Sequence, residues 1–144
     1  MPAQYFRDPN QLDSYLEASN FLADVNNERK VKNAKYKENL SKLERFVMYL
    51  FEEDTTVIPK ESAWFSDVNG TEVTELRKRD IYKEDWIGLK ALDEKGALKF
   101  EKAPGGHMQF SDKLLKKVFK ENYGAFGKKF DQKVAVDNGF QQEL

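Results

Sequence analysis

Two side chains in this sequence could act together in proton transfer, although they lie far apart in the chain. Asp54 follows the apolar run RFVMYLF (Arg45–Phe51), and His107, the single histidine, follows the segment ALKFEKA (Ala97–Ala103). A carboxylate can hold an imidazole in one tautomer and stabilise its cation while the imidazole moves a proton. A lone histidine is more often an ordinary loop residue than a catalytic one. The two side chains can act together only if the fold brings their loops into contact.

Two predicted strands would position these side chains. The run Arg45–Phe51 is short, almost continuously apolar and rich in aromatic residues, which is typical of a strand buried on both faces of a parallel sheet. In Ala97–Ala103, Leu98 and Phe100 point to one side of a second strand, which ends at the turn residues Pro104–Gly106. Both candidate side chains would therefore follow the carboxyl end of a strand.

Helices are predicted before, between and after these strands. The first begins at Asn26–Glu28 and carries apolar residues at helical spacing, namely Tyr36, Leu40, Leu43 and Val47. Glu84–Gly96 predicts a short helix that stops at its final glycine, with a hairpin through Asp93–Gly96 as the alternative. The last helix begins at the N-cap Ser111 and ends at Gly124. This alternation predicts an α/β fold with a mostly parallel sheet and flanking helices, in which functional groups collect at the carboxyl ends of the strands.

The remaining segments are polar. Pro59–Asp80 is rich in turn residues, and within it DVNGTEVTE (Asp67–Glu75) resembles a calcium-binding loop only superficially, because it lacks the alternating acidic positions. We interpret that segment as a turn. Residues 1–123 are predicted to form one domain, and residues 124–144 a polar, mobile tail.

Composition narrows the chemistry further. The 144 residues include no cysteine and one histidine, which excludes disulfides, thiol catalysis, zinc–thiolate sites and histidine-rich metal sites. Any cofactor chemistry would therefore use carboxylate ligands only or be absent. With 24 basic and 25 acidic residues, the chain has no excess positive charge for binding nucleic acid. No apolar stretch approaches the ~18 residues of a membrane span, and the first residues do not have the pattern of a secretory signal.

A nucleophile for the candidate pair is not evident. An acid after one strand and a histidine after a later strand match the second half of the Ser–acid–His order of α/β-hydrolases. However, no G-x-S-x-G motif occurs among the 144 residues, and none of the six serines lies between glycines. The strands that can be placed in this sequence are also fewer than those of a usual doubly wound sheet. These features predict the C-terminal piece of a larger protein, whose upstream part would carry the nucleophile.

Six segments make this expectation specific: QYFRDPNQLDSY, NFLADVNNER, YKENLSKLERFVM, DTTVIPKESAWF, IYKEDWIGLKALDEKGALKF and GGHMQFSDKLL. In content, order and spacing they resemble the C-terminal part of the palmitoyl-protein thioesterases, lysosomal α/β-hydrolases that cleave fatty acyl thioesters from cysteines. The resemblance covers residues 3–123. It implies that Asp54 is the catalytic acid and His107 the catalytic base. Animal members carry an acidic residue directly before that histidine, where this sequence has Gly106.

The resemblance also implies partners and a location. Substrates would be S-acylated proteins, and the compartment would be the lysosome or the secretory lumen. Two N-x-S/T sequons, at Asn39 and Asn69, are candidate glycosylation sites, of which Asn69 is the better because it lies beside a glycine in a turn. Since the nucleophile of the family lies upstream of this region, the chain alone is expected to be inactive. The alternative is a non-catalytic fragment that binds a partner.

One further feature concerns the two adjacent aromatic residues Trp64 and Phe65, which interrupt the polar segment after the first strand. Large aromatic side chains contribute strongly to the burial of apolar surface. We therefore expect them to pack in the core rather than to bind an acyl chain.

Overall fold

The structure is a computed structural model of the chain and describes residues 5–123. The chain divides into two compact units, Met1–Gln109 and Phe110–Leu144. Within the described residues, the predicted final helix forms the second unit as α6 (Asp112–Asn122), and the Ser111 hydroxyl caps it by accepting a hydrogen bond from the Leu114 N–H. The predicted stop at Gly124 and the tail 124–144 lie outside the described residues.

The first unit is organised around two adjacent parallel strands, β1 (Phe46–Phe51) and β4 (Leu98–Ala103). Their register pairs the first residues of the two strands with each other, and likewise the last residues. Both predicted strands are confirmed to within one residue at their amino ends. The burial of β1 is less complete than predicted, because Phe46, Val47 and Tyr49 are only half-buried.

Helices and a hairpin accompany these strands. Before β1 come α1 (Leu12–Ala18), α2 (Leu22–Val25) and α3 (Ala34–Ser41). The crossover from β1 to β4 contains α4 (Asp80–Lys83) and α5 (Leu89–Glu94). It also contains two 3-10 helices, Lys60–Trp64 and Leu76–Lys78. Between them lies an antiparallel hairpin formed by β2 (Asp67–Asn69) and β3 (Glu72–Thr74). The predicted turn in this region lies between β2 and β3, and the flanking strands were not predicted.

The first predicted helix starts later than expected. The segment Asn26–Glu28 is not its beginning, because Asn27 has a φ of +55°, which a right-handed helix cannot accommodate. The helix begins instead at Ala34, where the Asn33 side chain accepts a hydrogen bond from the Lys35 N–H as the N-cap. It ends at Ser41, so the apolar spacing that continued to Val47 reflects a change to strand structure.

The second predicted helix is also shorter than its sequence pattern. Asp85 and Gly88 have φ values of +54° and +92°, so the regular helix begins only at Leu89. Gly96 has a φ of +72° and follows the end of the helix, as predicted. The alternative hairpin through Asp93–Gly96 is wrong.

The hydrophobic core of the first unit lies between the strands and the crossover. Among residues 5–123, its buried side chains are Met48, Leu76, Ile81, Ile87, Leu89, Leu92, Ala97 and Leu98. Trp64 and Phe65 are half-buried and pack against this core, which confirms the packing predicted for them. The Trp64 ring meets Phe100 edge-to-face at 5.9 Å, and its Nε1–H donates to the Met48 carbonyl on β1 at 3.1 Å. The core thus contacts both strands, through Met48 of β1 and Leu98 of β4.

Among residues 5–123, the structure contains no helix with the length and apolar character that crossing a membrane would require.

Candidate active site

The candidate site forms where β1 and β4 end together. Beyond the last strand pair, the Glu52 N–H donates to the Ala103 carbonyl at 2.9 Å. The Glu53 N–H then donates to the Gly105 carbonyl at 3.1 Å. Because the backbone segments that follow β1 and β4 remain paired for these extra residues, the loops after them begin at the same edge of the sheet.

Asp54 and His107 are in direct contact at this edge. The Nδ1 atom of His107 lies 2.8 Å from Oδ2 of Asp54, which is the distance of a good hydrogen bond. The side chain of Asp54 is 8% exposed, whereas the His107 ring is 40% exposed. The structure therefore brings the two predicted site residues together, with the acid shielded and the imidazole open to solvent.

This contact determines what the imidazole can do. When the ring is neutral and Nδ1–H donates to the carboxylate, Nε2 carries the lone pair and can accept a proton. When Nε2 is protonated, the carboxylate stabilises the cation that results. Asp54 and His107 are thus arranged as an acid that orients a general base.

The other oxygen of Asp54 is held by the backbone. Its Oδ1 accepts hydrogen bonds from the N–H groups of Val57 at 3.0 Å and Thr56 at 2.9 Å. The Val57 bond first, and then the His107 bond, hold the pKa of Asp54 below its ordinary value. The carboxylate therefore stays ionised and keeps one oxygen directed at the imidazole. We did not predict these two amides, although an aspartate that bonds the backbone two residues later is a familiar turn pattern.

A sharp turn follows β4 and carries His107. Gly105 has a φ of +92°, as expected from the two glycines, whereas Gly106 does not adopt a positive φ. Met108, directly after the histidine, has a φ of +56°, which is uncommon for a residue with a side chain. The side chain of Gln109 contacts this turn, and sequence reasoning did not identify it as part of the site.

A cleft of about 940 Å³ lies beside the loop that holds Asp54. Its lining includes Thr56 and Val57, the two residues whose amides bind the carboxylate. It also includes apolar residues that are widely separated in sequence: Tyr5, Phe6, Ile58 and Pro59. Tyr5, Phe6 and Ile58 are 72%, 63% and 83% exposed. The loop that holds Asp54 thus borders an open surface of mixed character, in which apolar side chains alternate with polar and charged ones such as Arg7, Asp67 and Arg79.

The remaining predictions concern metals and glycosylation. Within residues 5–123, no cluster of three or more His, Asp or Glu side chains is placed to hold a metal ion. Asn39 is exposed in the second half of α3, and Asn69 is the last residue of β2, next to the Gly70 turn. The predicted turn thus begins one residue after Asn69, which itself ends a strand that was not predicted, and modification at either site stays a prediction.

Comparison with known proteins places the chain in a family. A family model described as palmitoyl protein thioesterase matches residues 1–107. The chain is 54% identical over 101 residues to palmitoyl-protein thioesterase 3 of Dictyostelium discoideum, covering 68% of this chain and 35% of that protein. It is 42% identical over 116 residues to palmitoyl-protein thioesterase 1 of Caenorhabditis elegans, covering 78% of this chain and 39% of the relative.

A third relative carries a name that includes a compartment. The chain is 39% identical over 97 residues to lysosomal thioesterase PPT2 of Bos taurus, covering 65% of this chain and 32% of that protein. In all three comparisons the aligned part spans less than two-fifths of the relative's own length. The resemblance predicted from the six sequence segments is confirmed, and the chain belongs to the palmitoyl protein thioesterase family.

Proposed function

We propose that this chain supplies the acid and the base of a thioesterase that hydrolyses fatty acyl thioesters on S-acylated cysteines of proteins. The observation that carries the proposal is the 2.8 Å contact between His107 Nδ1 and Asp54 Oδ2 at the carboxyl ends of two neighbouring parallel strands. The names of the relatives support the thioesterase activity. The nucleophilic serine would belong to a segment outside these 144 residues, which contain no G-x-S-x-G motif.

The reaction would proceed in two halves. His107 Nε2 takes the proton of the serine hydroxyl as its oxygen attacks the acyl carbonyl, and the carbon–sulfur bond breaks to release the cysteine sulfur. The imidazolium proton passes to the departing thiolate, which leaves an acyl ester on the serine. Nε2 next takes a proton from water as the water attacks this ester, and then returns that proton to the serine as the fatty acid is released. Asp54 stabilises the imidazolium in both halves, and no cofactor takes part.

A chimeric enzyme tests this proposal. The chain would replace the aligned third of Dictyostelium discoideum palmitoyl-protein thioesterase 3, and hydrolysis of a palmitoyl thioester would be measured. We expect activity in the chimera. His107→Ala should lower kcat/KM by about 10³- to 10⁴-fold, and Asp54→Asn by about 10²- to 10⁴-fold. Asp13→Asn, which changes an exposed carboxylate in α1, is the matched control and should leave kcat/KM unchanged.

Two outcomes would contradict the proposal. An active chimera that keeps its rate with His107→Ala would assign catalysis elsewhere, and a folded but inactive chimera would favour the alternative of a non-catalytic, partner-binding fragment. The chain alone provides an independent check with a fluorophosphonate probe, which labels activated serines. We expect no labelling of the purified 144-residue chain, and covalent labelling would show that a nucleophile had been overlooked.

We further propose that the protein acts in the lysosome or the secretory lumen, as the name of the Bos taurus relative suggests for that protein. Of the two sequons, Asn69 should be glycosylated in preference to Asn39, because Asn39 lies within a regular helix. Expression in a secretory pathway behind a supplied leader, followed by deglycosylation and mass measurement, tests this order. Loss of the mass shift with Asn69→Gln, but not with Asn39→Gln, is the expected result.

A further inference from the structure

The turn that carries His107 is closed by one side chain. Residues Gly106–Gln109 form a tight turn in which the Gln109 N–H donates to the Gly106 carbonyl at 3.1 Å. In the opposite direction, the Gly106 N–H donates to the side-chain Oε1 of Gln109 at 2.8 Å. Both backbone polar groups of Gly106 are thus bound to Gln109, and His107 and Met108 form the loop between them.

This turn has a conformation that needs support. Met108 occupies its third position with a φ of +56°, where turns of this type favour glycine or asparagine. A residue with a side chain pays a steric penalty for a positive φ. The second hydrogen bond of Gln109 opposes the relaxation of the turn, and that relaxation would move His107.

Gly105 leaves room for this arrangement. A Cβ atom built at Gly105 would lie 2.7 Å from Oε1 of Gln109, which is closer than real Cβ contacts. Gly105 also has a φ of +92°, and its carbonyl accepts the hydrogen bond from Glu53 that joins the two strand-end loops. His107 therefore lies between two fixed points of the backbone. Before it, the Gly105 carbonyl is hydrogen-bonded to Glu53, and after it, Gln109 is hydrogen-bonded to Gly106.

We propose that Gln109 is a positioning residue for the general base: it holds the Gly106–Gln109 turn in the form that places His107 Nδ1 within hydrogen-bond distance of Asp54. The inference rests on the proposed function for its catalytic meaning. Its structural content, however, is the coupling between Gln109 and the His107–Asp54 contact, which can be measured without any activity.

Because His107 is the single histidine, its ring nitrogens give unambiguous ¹⁵N signals in the 144-residue chain. Their chemical shifts report which nitrogen carries the proton in the neutral ring. We expect the wild-type ring to favour the Nδ1–H tautomer, because that tautomer donates to Asp54. Gln109→Met, which keeps the length of the side chain but removes the acceptor, should lower the Nδ1–H to Nε2–H ratio by about two- to tenfold, as expected for one hydrogen bond of ordinary net strength.

Two further variants separate positioning from a general loss of structure. Gln109→Glu keeps an oxygen acceptor and should restore the wild-type tautomer ratio. Gln11→Met makes the same substitution at the N-cap of α1, where the side chain makes no capping hydrogen bond, and should change nothing. Backbone amide spectra of all three variants check that the fold is intact.

The possible results are clearly separated. An unchanged tautomer ratio in Gln109→Met, or a wild-type ring that does not favour Nδ1–H, would overturn the positioning role. If the ratio responds as expected while the chimeric enzyme is inactive, the positioning role stands and the proposed function fails. In an active chimera, Gln109→Met should lower kcat with little change in KM, and Gln109→Glu should restore it.

Discussion

The buried side-chain amide of Asn27 donates a hydrogen bond to the carbonyl oxygen of Trp86, 59 residues later in the chain, at 2.8 Å. The same amide nitrogen also donates to the Asn33 carbonyl at 3.1 Å, and the Asn27 side-chain oxygen accepts from the Asn33 N–H at 2.7 Å. One side chain therefore joins the start of α3 to the segment before α5. Its backbone has a φ of +55°, a conformation that asparagine tolerates better than most residues.

Replacing Asn27 should destabilise the first unit considerably. Asn27→Ala removes the three hydrogen bonds of a buried side chain and places a methyl group at a positive φ, so we expect the free energy of unfolding to fall by about 2–4 kcal/mol. Asn27→Gly should cost about 1 kcal/mol less, because glycine relieves the strain. Urea denaturation measures both changes. Asn10→Ala, at an exposed turn, is the control, and equal losses at the two sites would contradict this role.

A second prediction concerns the buried carboxylate of Glu28. It accepts hydrogen bonds from the Tyr15 hydroxyl at 2.8 Å and from Arg7 Nε at 2.7 Å, and its side chain is only 4% exposed. Burial and the bond to Glu28 raise the pKa of Tyr15, so the hydroxyl remains a neutral donor. Tyr15→Phe leaves a buried charge with one donor fewer and should cost about 1–3 kcal/mol.

The matched control for this change is Tyr5→Phe, because Tyr5 is 72% exposed. Its loss should lie within about 0.5 kcal/mol of zero. Chemical denaturation monitored by far-ultraviolet circular dichroism compares the two variants. A Tyr15→Phe variant as stable as Tyr5→Phe would mean that water replaces the missing donor at Glu28.

A third prediction uses two glycines with similar backbones and different surroundings. Gly88 and Gly96 have φ values of +92° and +72°. A Cβ at Gly88 would lie 2.9 Å from the Lys37 carbonyl and 3.2 Å from Ser41 of α3. A Cβ at Gly96 would have no heavy atom of the described residues within 4 Å. Gly96→Ala should therefore cost only the strain of the positive φ, about 1–2 kcal/mol. Gly88→Ala should cost about 1–3 kcal/mol more, because it also forces α3 away.

Thermal or urea unfolding of the two alanine variants provides the comparison, and each serves as the control for the other. If both variants lose the same stability, the close approach of α3 to Gly88 contributes nothing beyond the backbone conformation. The larger loss at Gly88 would instead show that α3 cannot yield at this contact.

The sequence predicted the elements that have a local pattern, and it failed where long-range contacts determine the backbone. Strands β1 and β4 could be predicted because an apolar run and an alternating pattern are local signals. The meeting of Asp54 with His107 followed from a general rule about the edges of parallel sheets. The start of α3 was misplaced because Asn27 takes its backbone conformation from bonds to distant residues, which leave no mark in the local pattern.

Other elements carried too weak a signal. Helix α1 (Leu12–Ala18) is seven residues long, and its apolar residues Leu12, Tyr15 and Leu16 have helical spacing over little more than one turn. A periodic pattern is recognised over a longer window than this. At the candidate site, the amides that bind Asp54 belong to the backbone, and backbone groups have no residue type to recognise. Gln109 binds a backbone N–H three residues earlier, and only the φ values of the turn make that contact possible. The contact between the two side chains could thus be predicted, while the parts of the site built from backbone geometry could not.

The last prediction concerns the pH dependence that Asp54 gives to stability. Its folded-state pKa is lowered, chiefly by the Val57 N–H and then by His107, relative to an unfolded value of about 3.9. The unfolded state therefore binds the proton more tightly, so this contribution to stability is present above pH ~4 and is lost as the pH falls through the lower folded-state pKa. Asp54→Asn keeps an acceptor for the backbone but cannot bear the charge.

We therefore expect wild type to exceed Asp54→Asn in free energy of unfolding at neutral pH, and the difference to shrink as the pH approaches about 3. Urea denaturation of both chains across this range gives the difference at each pH. Glu17→Gln, which removes an exposed carboxylate from α1, controls for the loss of one negative charge and should stay within about 0.5 kcal/mol of wild type throughout. If wild type and Asp54→Asn instead differed in free energy of unfolding by the same amount down to pH ~3, the contribution of Asp54 would come from its shape. A contribution from its charge must disappear when the carboxylate is protonated.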